Sequence, residues 1–300
     1  YEVPANFEKD NFGLKILKKF GIRPKKKDGT QWIKLVNKIR KSRAPVRIGI
    51  IGKYFNTGKF VLADSYMSVI EAVKHAAWAN NRKPELEWIN AEEFERNPKS
   101  VGNLKKFDGI IIPGGFGSRG AEGKIRAIKY LRENNIPFLG LCYGLQLATI
   151  EFARNVCGLK NANTTEIDGK TPYPVITTMA DQADRIKNNY DLGGTMRLGA
   201  YACLLNQESK SFRLYGKRDI SERHRHRYEV NNEFRELLIK KGLLVAGVNP
   251  ERDLVEIIEY PKHPFFIAAQ FHPEFKSRPL DPHPLFIGLI KAAVKRAGSS

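Results

Sequence analysis

The segment Gly140-Leu141-Cys142-Tyr143-Gly144 has the clearest capacity for chemistry in this sequence. It follows an apolar run, Ile136 to Leu141, and opens a helical pattern from about Tyr143 to Val156. A cysteine so placed fits a nucleophile elbow, whose flanking glycines permit a tight strand-to-helix turn and leave the side chain exposed at the sheet edge. The helix dipole and the free N–H groups of its first turn favour thiolate, the reactive form. Cys157 and Cys203 lack such a setting and read as structural. A thiol nucleophile needs a base held by a third group. Of the six histidines, His272 stands out, in Gln270-Phe271-His272-Pro273-Glu274-Phe275 directly after an apolar strand. Residues i and i+2 of an extended segment share a face, so Glu274 can orient the His272 ring. Pro273, which cannot donate to a ladder, suits a strand terminus. An exposed loop histidine beside an unrelated glutamate would give the same triplet, and only the elbow tips the balance. His75, His263 and His283 read as incidental, the last two preceding prolines in ordinary turns.

Acyl transfer through Cys142 would also need donors for the developing oxyanion. Pro113-Gly114-Gly115-Phe116-Gly117 follows a neighbouring strand, so the backbone N–H groups of Gly114, Gly115 and Phe116 can face the same sheet edge. A phosphate cradle is the other use of such a loop, but the chain has no GxxxxGK[ST]. In Glu222-Arg223-His224-Arg225-His226-Arg227-Tyr228-Glu229 an extended backbone would put the arginines on one face and the histidines on the other. An RNA patch and a zinc site are open readings. Flanking glutamates weaken the first, and two histidines without a Cys/His cluster weaken the second. An anchor for a small anionic or zwitterionic substrate fits better, and no metal site is expected.

These residues need a scaffold that brings separate strand ends together. From Arg47 the sequence alternates short apolar strands with amphipathic helices: a strand at 46–52, a helix from Tyr66 to Asn80, strands at 86–89 and 107–112, a helix from Lys124 to Asn134 and a strand at 136–141. Such alternation predicts an α/β fold with a mostly parallel central sheet flanked by helices. Apolar segments at 174–176, 243–248, 255–258 and 265–271 are close enough in sequence for some to pair antiparallel, and a helix from Leu285 to Arg296 closes the domain. Residues 1–46 read as a basic linker or tail with one helix carrying Trp32, Leu35, Val36 and Ile39, and residues 47–300 as one domain.

With 300 residues, 42% apolar and 28% charged, the composition is that of a globular chain. Three cysteines without a CxxC point to a reducing, cytoplasmic setting. No apolar run reaches the ~18 residues of a membrane span, and Tyr1 in place of an initiating Met reads as a fragment or a processed chain. The net charge of +19 invites a polyanion partner, yet residues 1–46 hold 13 Lys/Arg against 4 Asp/Glu, nearly half the excess. Runs such as Lys25-Lys26-Lys27 are expected to be solvated, with no specific nucleic acid bound.

Taken together, these motifs resemble the class I glutamine amidotransferases, and more narrowly the C-terminal glutaminase domain of the CTP synthase family. The likeness runs through 51–54, 65–72, PGGFGSRG at 113–120, GLCYGLQLATIEFARNV at 140–156, 161–166, GGTMRLG at 193–199, ERHRHRYEVNN at 222–232 and QFHPEF at 270–275. It implies a flavodoxin-like three-layer architecture, with Cys142 as nucleophile, His272 as base and Glu274 as orienting acid. It further implies contacts to L-glutamine from Gly115, Tyr143, Gly144, Leu145, Gln146, Glu166 and Arg227, and a γ-glutamyl thioester intermediate. The ammonia would go to a synthetase (amidoligase) domain, in cis or in trans, that aminates ATP-activated UTP. ATP, UTP and Mg are expected only there, with GTP as allosteric activator of the whole enzyme and no cofactor in this chain. Tyr143 replaces the usual Leu, and the 55–63 loop is longer than the family pattern. A free-standing amidotransferase subunit with another partner and a non-catalytic basic module are the competing readings; the complete Cys142, His272 and Glu274 set argues against the second.

Overall fold

The computed structural model describes residues 1–24, 28–52, 66–178 and 196–298. Three helices precede the first strand: α1 (Val3–Lys9), α2 (Phe12–Lys19) and α3 (Thr30–Lys41). The expected single helix is α3, which buries Leu35 and Val36. The segment read as a basic linker or tail with one helix thus carries three. The other two helices escaped detection because they are short and bury no residue. The Lys25-Lys26-Lys27 run lies outside the described residues.

The alternation then unfolds as β1 (Pro45–Gly52), α4 (Met67–Ala79), β2 (Lys83–Asn90), α5 (Ala91–Arg96), β3 (Gly109–Ile112), α6 (Ala121–Glu133), β4 (Phe138–Leu141) and α7 (Tyr143–Asn155). The second half adds β5 (Ala162–Thr164), β6 (Tyr173–Thr178), β7 (Arg197–Leu205), α8 (Lys210–Tyr215), β8 (Asp219–His226) and β9 (Tyr228–Val230). It ends with α9 (Arg235–Lys240), β10 (Leu244–Asn249), β11 (Leu254–Glu259), β12 (Phe266–Ala269) and α10 (Pro284–Ala297).

The main sheet runs β2-β1-β3-β4-β12-β11-β10-β7-β8. Its first five strands are parallel, and the remainder continues antiparallel. Strands β3, β4 and β12 are buried along their whole length because helices cover both faces. Successive side chains serve opposite layers: Ile110 and Ile112 join the core under α6 and α7, and Ile111 joins the core under α4 and α10. A smaller sheet, β5-β6-β9, packs beside α7.

The three histidines expected to be incidental are buried polar hubs. His283 caps α10, its Nδ1 accepting from Leu285 N–H at 3.3 Å, which leaves Nε2 to donate to Glu222 at 3.1 Å. His263 accepts from Phe265 N–H at 3.1 Å and meets the Leu131 carbonyl at 3.2 Å. His75 lies between the Tyr1 hydroxyl at 2.8 Å and the Ser277 hydroxyl at 3.1 Å. A following proline says nothing of such roles.

Candidate active site

Strand β4 ends at Leu141, and Cys142 turns the chain into α7 with φ 52° and ψ −101°. An L-residue with positive φ holds strain of order 1–3 kcal/mol, which persists where the surroundings over-determine it. Neither flanking glycine has positive φ; both are required for close approach. A Cβ on Gly144 would lie 2.3 Å from the Ile112 carbonyl oxygen, and one on Gly140 would lie 2.9 Å from Ala268 Cβ. The expected exposure of the thiol is also corrected. Cys142 is only 4% exposed, because it sits in the wall of a cavity rather than on an open edge.

Strand β12 lies parallel to β4 with Ala269 opposite Leu141, so the residues after both strands emerge at one carboxyl edge. There His272 Nδ1 donates to Glu274 Oε1 at 2.7 Å. The contact is as expected, its geometry is not: Glu274 sits in a single 3-10 turn, Pro273–Phe275, rather than in an extended run. The fixed φ of Pro273 starts that turn. Phe275 stacks on the His272 ring at 5.3 Å between centroids. Burial disfavours charge on His272, but the Cys142 sulfur and the Glu274 carboxylate outweigh it and hold the ring well above its ordinary range.

The cavity measures about 450 Å³ and is lined in part by Cys142, His272, Gly114, Gly115 and Phe116. The glycine loop after β3 is pressed against the pair: a Cβ on Gly114 would stand 2.8 Å from His272 Cε1 and 3.7 Å from Cys142 Cβ. Two bonds fix the loop at Gly117, whose N–H donates to Glu166 at 2.9 Å and whose carbonyl accepts from the Tyr143 hydroxyl at 2.6 Å. Gln146, Glu166 and Arg227 also line the cavity. Tyr143, Gly144 and Leu145 do not: the Tyr143 ring is buried behind the loop, Gly144 packs on Ile112 and Leu145 joins the core. Lining residues that the sequence did not single out are Tyr66 and Met196, which stood only within longer resembling motifs, with Arg225, His226 and Tyr228 singled out only as part of the 222–229 run. Residues 53–54, 65 and 193–195 of the resembling motifs, and the 55–63 loop, lie outside the described residues.

Strand β8 realises the alternation read in the 222–229 run only as far as His226, with Glu222, His224 and His226 inward and Arg223 and Arg225 outward, while Arg227 lies at the bend beyond it. The inward face meets Arg197, 2% exposed, whose guanidinium donates to Glu256 at 2.7 Å and Glu229 at 3.2 Å. Burial lifts Glu229 to about 8 and Glu256 to about 7, with Arg197 pulling both back. Burial and Arg197 together hold His224 neutral, its Nδ1 2.8 Å from His226 Nε2. Among the described residues no group of three or more His, Cys, Asp or Glu side chains could hold a metal ion.

The family model for glutamine amidotransferase class-I matches residues 61–292. The chain belongs to the class I glutamine amidotransferases. A CTP synthase from Microcystis aeruginosa is 50% identical over 98% of this amidotransferase chain and 52% of its own length. One from Methanococcus maripaludis is 48% identical over 99% of this chain and 55% of its own. The amidotransferase thus spans about half the length of these relatives. A solved structure of the Trypanosoma brucei CTPS glutaminase domain with bound acivicin is 36% identical, with a TM-score of 0.76 over 83% of this chain and 94% of that one. The amidotransferase is therefore of the glutaminase type found in the C-terminal part of CTP synthases. No described helix is long and apolar enough to cross a membrane.

Proposed function

We propose that this chain hydrolyses L-glutamine through Cys142, His272 and Glu274 and supplies the ammonia to a synthetase domain that makes CTP from UTP. The observation that carries the reading is the meeting of a strained Cys142 at the first turn of α7 with a His272–Glu274 pair 2.7 Å apart. Cys142 Sγ attacks the side-chain amide carbon, and the carbonyl electrons move onto oxygen, where backbone N–H groups of Gly114, Gly115 and Phe116 stabilise them. His272 hands its proton to the departing nitrogen, ammonia leaves, and a γ-glutamyl thioester remains. His272 then takes a proton from water, which attacks the thioester and releases glutamate and the thiolate. Glu274 orients the ring and offsets its charge throughout. Arg227 and Glu166, opposite charges that both line the cavity, suit the α-carboxylate and α-ammonium of the substrate. ATP, UTP and Mg belong to the synthetase part, and GTP to activation of the assembled enzyme.

The test is glutamate release by the purified chain. Cys142→Ala should reduce it by at least about 10³-fold, whereas Cys157→Ala should leave it within twofold. CTP should appear only when a synthetase domain is added with ATP and UTP. Full turnover in Cys142→Ala would overturn the assignment, and CTP made by the chain alone would overturn the division of labour.

A further inference from the structure

Gln270 is fully buried between the end of β12 and the elbow, its backbone N–H held by the Glu256 carbonyl at 2.8 Å. Its side-chain Nε2 reaches Cys142 Sγ at 3.9 Å. Its Oε1 is buried with no hydrogen-bond partner among the described residues. An amide with an orphaned oxygen is a poor choice for stability: leaving such a group unpaired costs about 1–3 kcal/mol, whereas an apolar side chain of the same size would cost nothing of the kind. Buried unsatisfied groups of this sort concentrate where function over-rules packing. The nitrogen explains the retention, because a sulfur carrying negative charge accepts an N–H far better than a neutral thiol does.

We infer that Gln270 is a further catalytic residue, whose amide N–H donates to the Cys142 thiolate and favours it over the thiol. This rests on Cys142 being the nucleophile. The donor lies on the strand side of the sulfur. The other titratable and charged groups facing Cys142 are His272, backed by Glu274, and, around the cavity, Arg225, His226, Arg227, Tyr228, Glu166 and Tyr66. All of these except Glu274 line the cavity, whereas Gln270 reaches the sulfur from outside that lining.

The test follows the rate of Cys142 alkylation by iodoacetamide against pH, in a Cys157→Ala background, with labelling located by peptide mapping. Gln270→Met keeps the volume and removes the donor. Its midpoint should move up by about one pH unit, so the rate on the limb well below the parent midpoint falls about tenfold while the high-pH plateau stays within twofold. A merely structural role would lower the plateau and leave the midpoint in place. Gln270→Asn withdraws the donor by one methylene and should shift the midpoint the same way, which keeps the proposal testable if the Met variant does not fold. Labelled, active Cys142 with an unshifted midpoint in a folded variant would overturn the role of Gln270 alone. A parent chain whose Cys142 resists labelling and still releases glutamate would overturn the nucleophile assignment instead.

Discussion

The backbone N–H of Cys142 donates to the Ala269 carbonyl at 2.7 Å. Through this bond the elbow at the end of β4 is pinned to the end of the strand that leads through Gln270 and Phe271 to His272. Cys142 and His272, the proposed nucleophile and base, therefore both follow closely on the carboxyl ends of adjacent parallel strands. Sites held this way keep their geometry at about the ångström level that acyl transfer demands.

Glu274→Gln removes the charge beside His272 while keeping its shape. Glutamate release should fall by about 10² to 10⁴-fold at neutral pH, because the ring loses the charge that compensates its proton and the amide can present an N–H that favours the wrong tautomer. The loss should appear in kcat more than in KM, measured by steady-state assay. A variant within threefold of the parent would show that His272 needs no orienting acid.

The two elbow glycines and the loop glycine should part company under substitution by alanine. At Gly144 the new Cβ meets the rigid Ile112 carbonyl at 2.3 Å, so Gly144→Ala should cost about 2–4 kcal/mol of stability or prevent folding. At Gly114 its one short contact is with the His272 ring edge, at 2.8 Å. Gly114→Ala should fold with little loss in denaturant titration, yet lose most of its glutaminase rate because the ring is displaced.

Arg197→Met leaves Glu229 and Glu256 buried without their cation. Breaking a buried ion pair from one side costs about 3–5 kcal/mol. Both carboxyls already have raised folded pKa values, so without Arg197 they take up protons as the pH falls and the buried charge is relieved. The stability deficit should therefore be largest near pH 8 and shrink towards pH 5. A deficit constant across that range would mean that the carboxyls do not titrate in the variant.

Binding of a labelled oligonucleotide should be weak and lost between low and physiological salt, since the excess Lys/Arg of 1–46 supplies only a screened attraction to phosphate. Sequence-selective binding that survives salt would contradict this.

The parallel half of the sheet was legible because fully buried strands read as continuous apolar runs, as in Ile110-Ile111-Ile112 and Phe138-Leu139-Gly140-Leu141. The elbow and the His272 triplet were legible because chemistry restricts residue types at short spacing. β8 was not fully legible: its inward face is built from Glu222, His224 and His226, which the buried polar network satisfies, so no apolar alternation marks it. The part of the elbow glycines in close approach was not legible, since that contact with Ile112 and Ala268 is a tertiary property. Tyr66 and Met196 reach the cavity only through packing that no local pattern encodes.

Mass spectrometry of the intact chain, acid-quenched during turnover of glutamine, addresses the covalent step most directly. The mechanism requires a fraction of the chain to carry one added glutamyl group, lost on treatment with hydroxylamine and mapped to the peptide containing Cys142. It should be absent from Cys142→Ala. Steady glutamate release from a chain that never carries the adduct, or an adduct on Cys157 or Cys203, would contradict the mechanism.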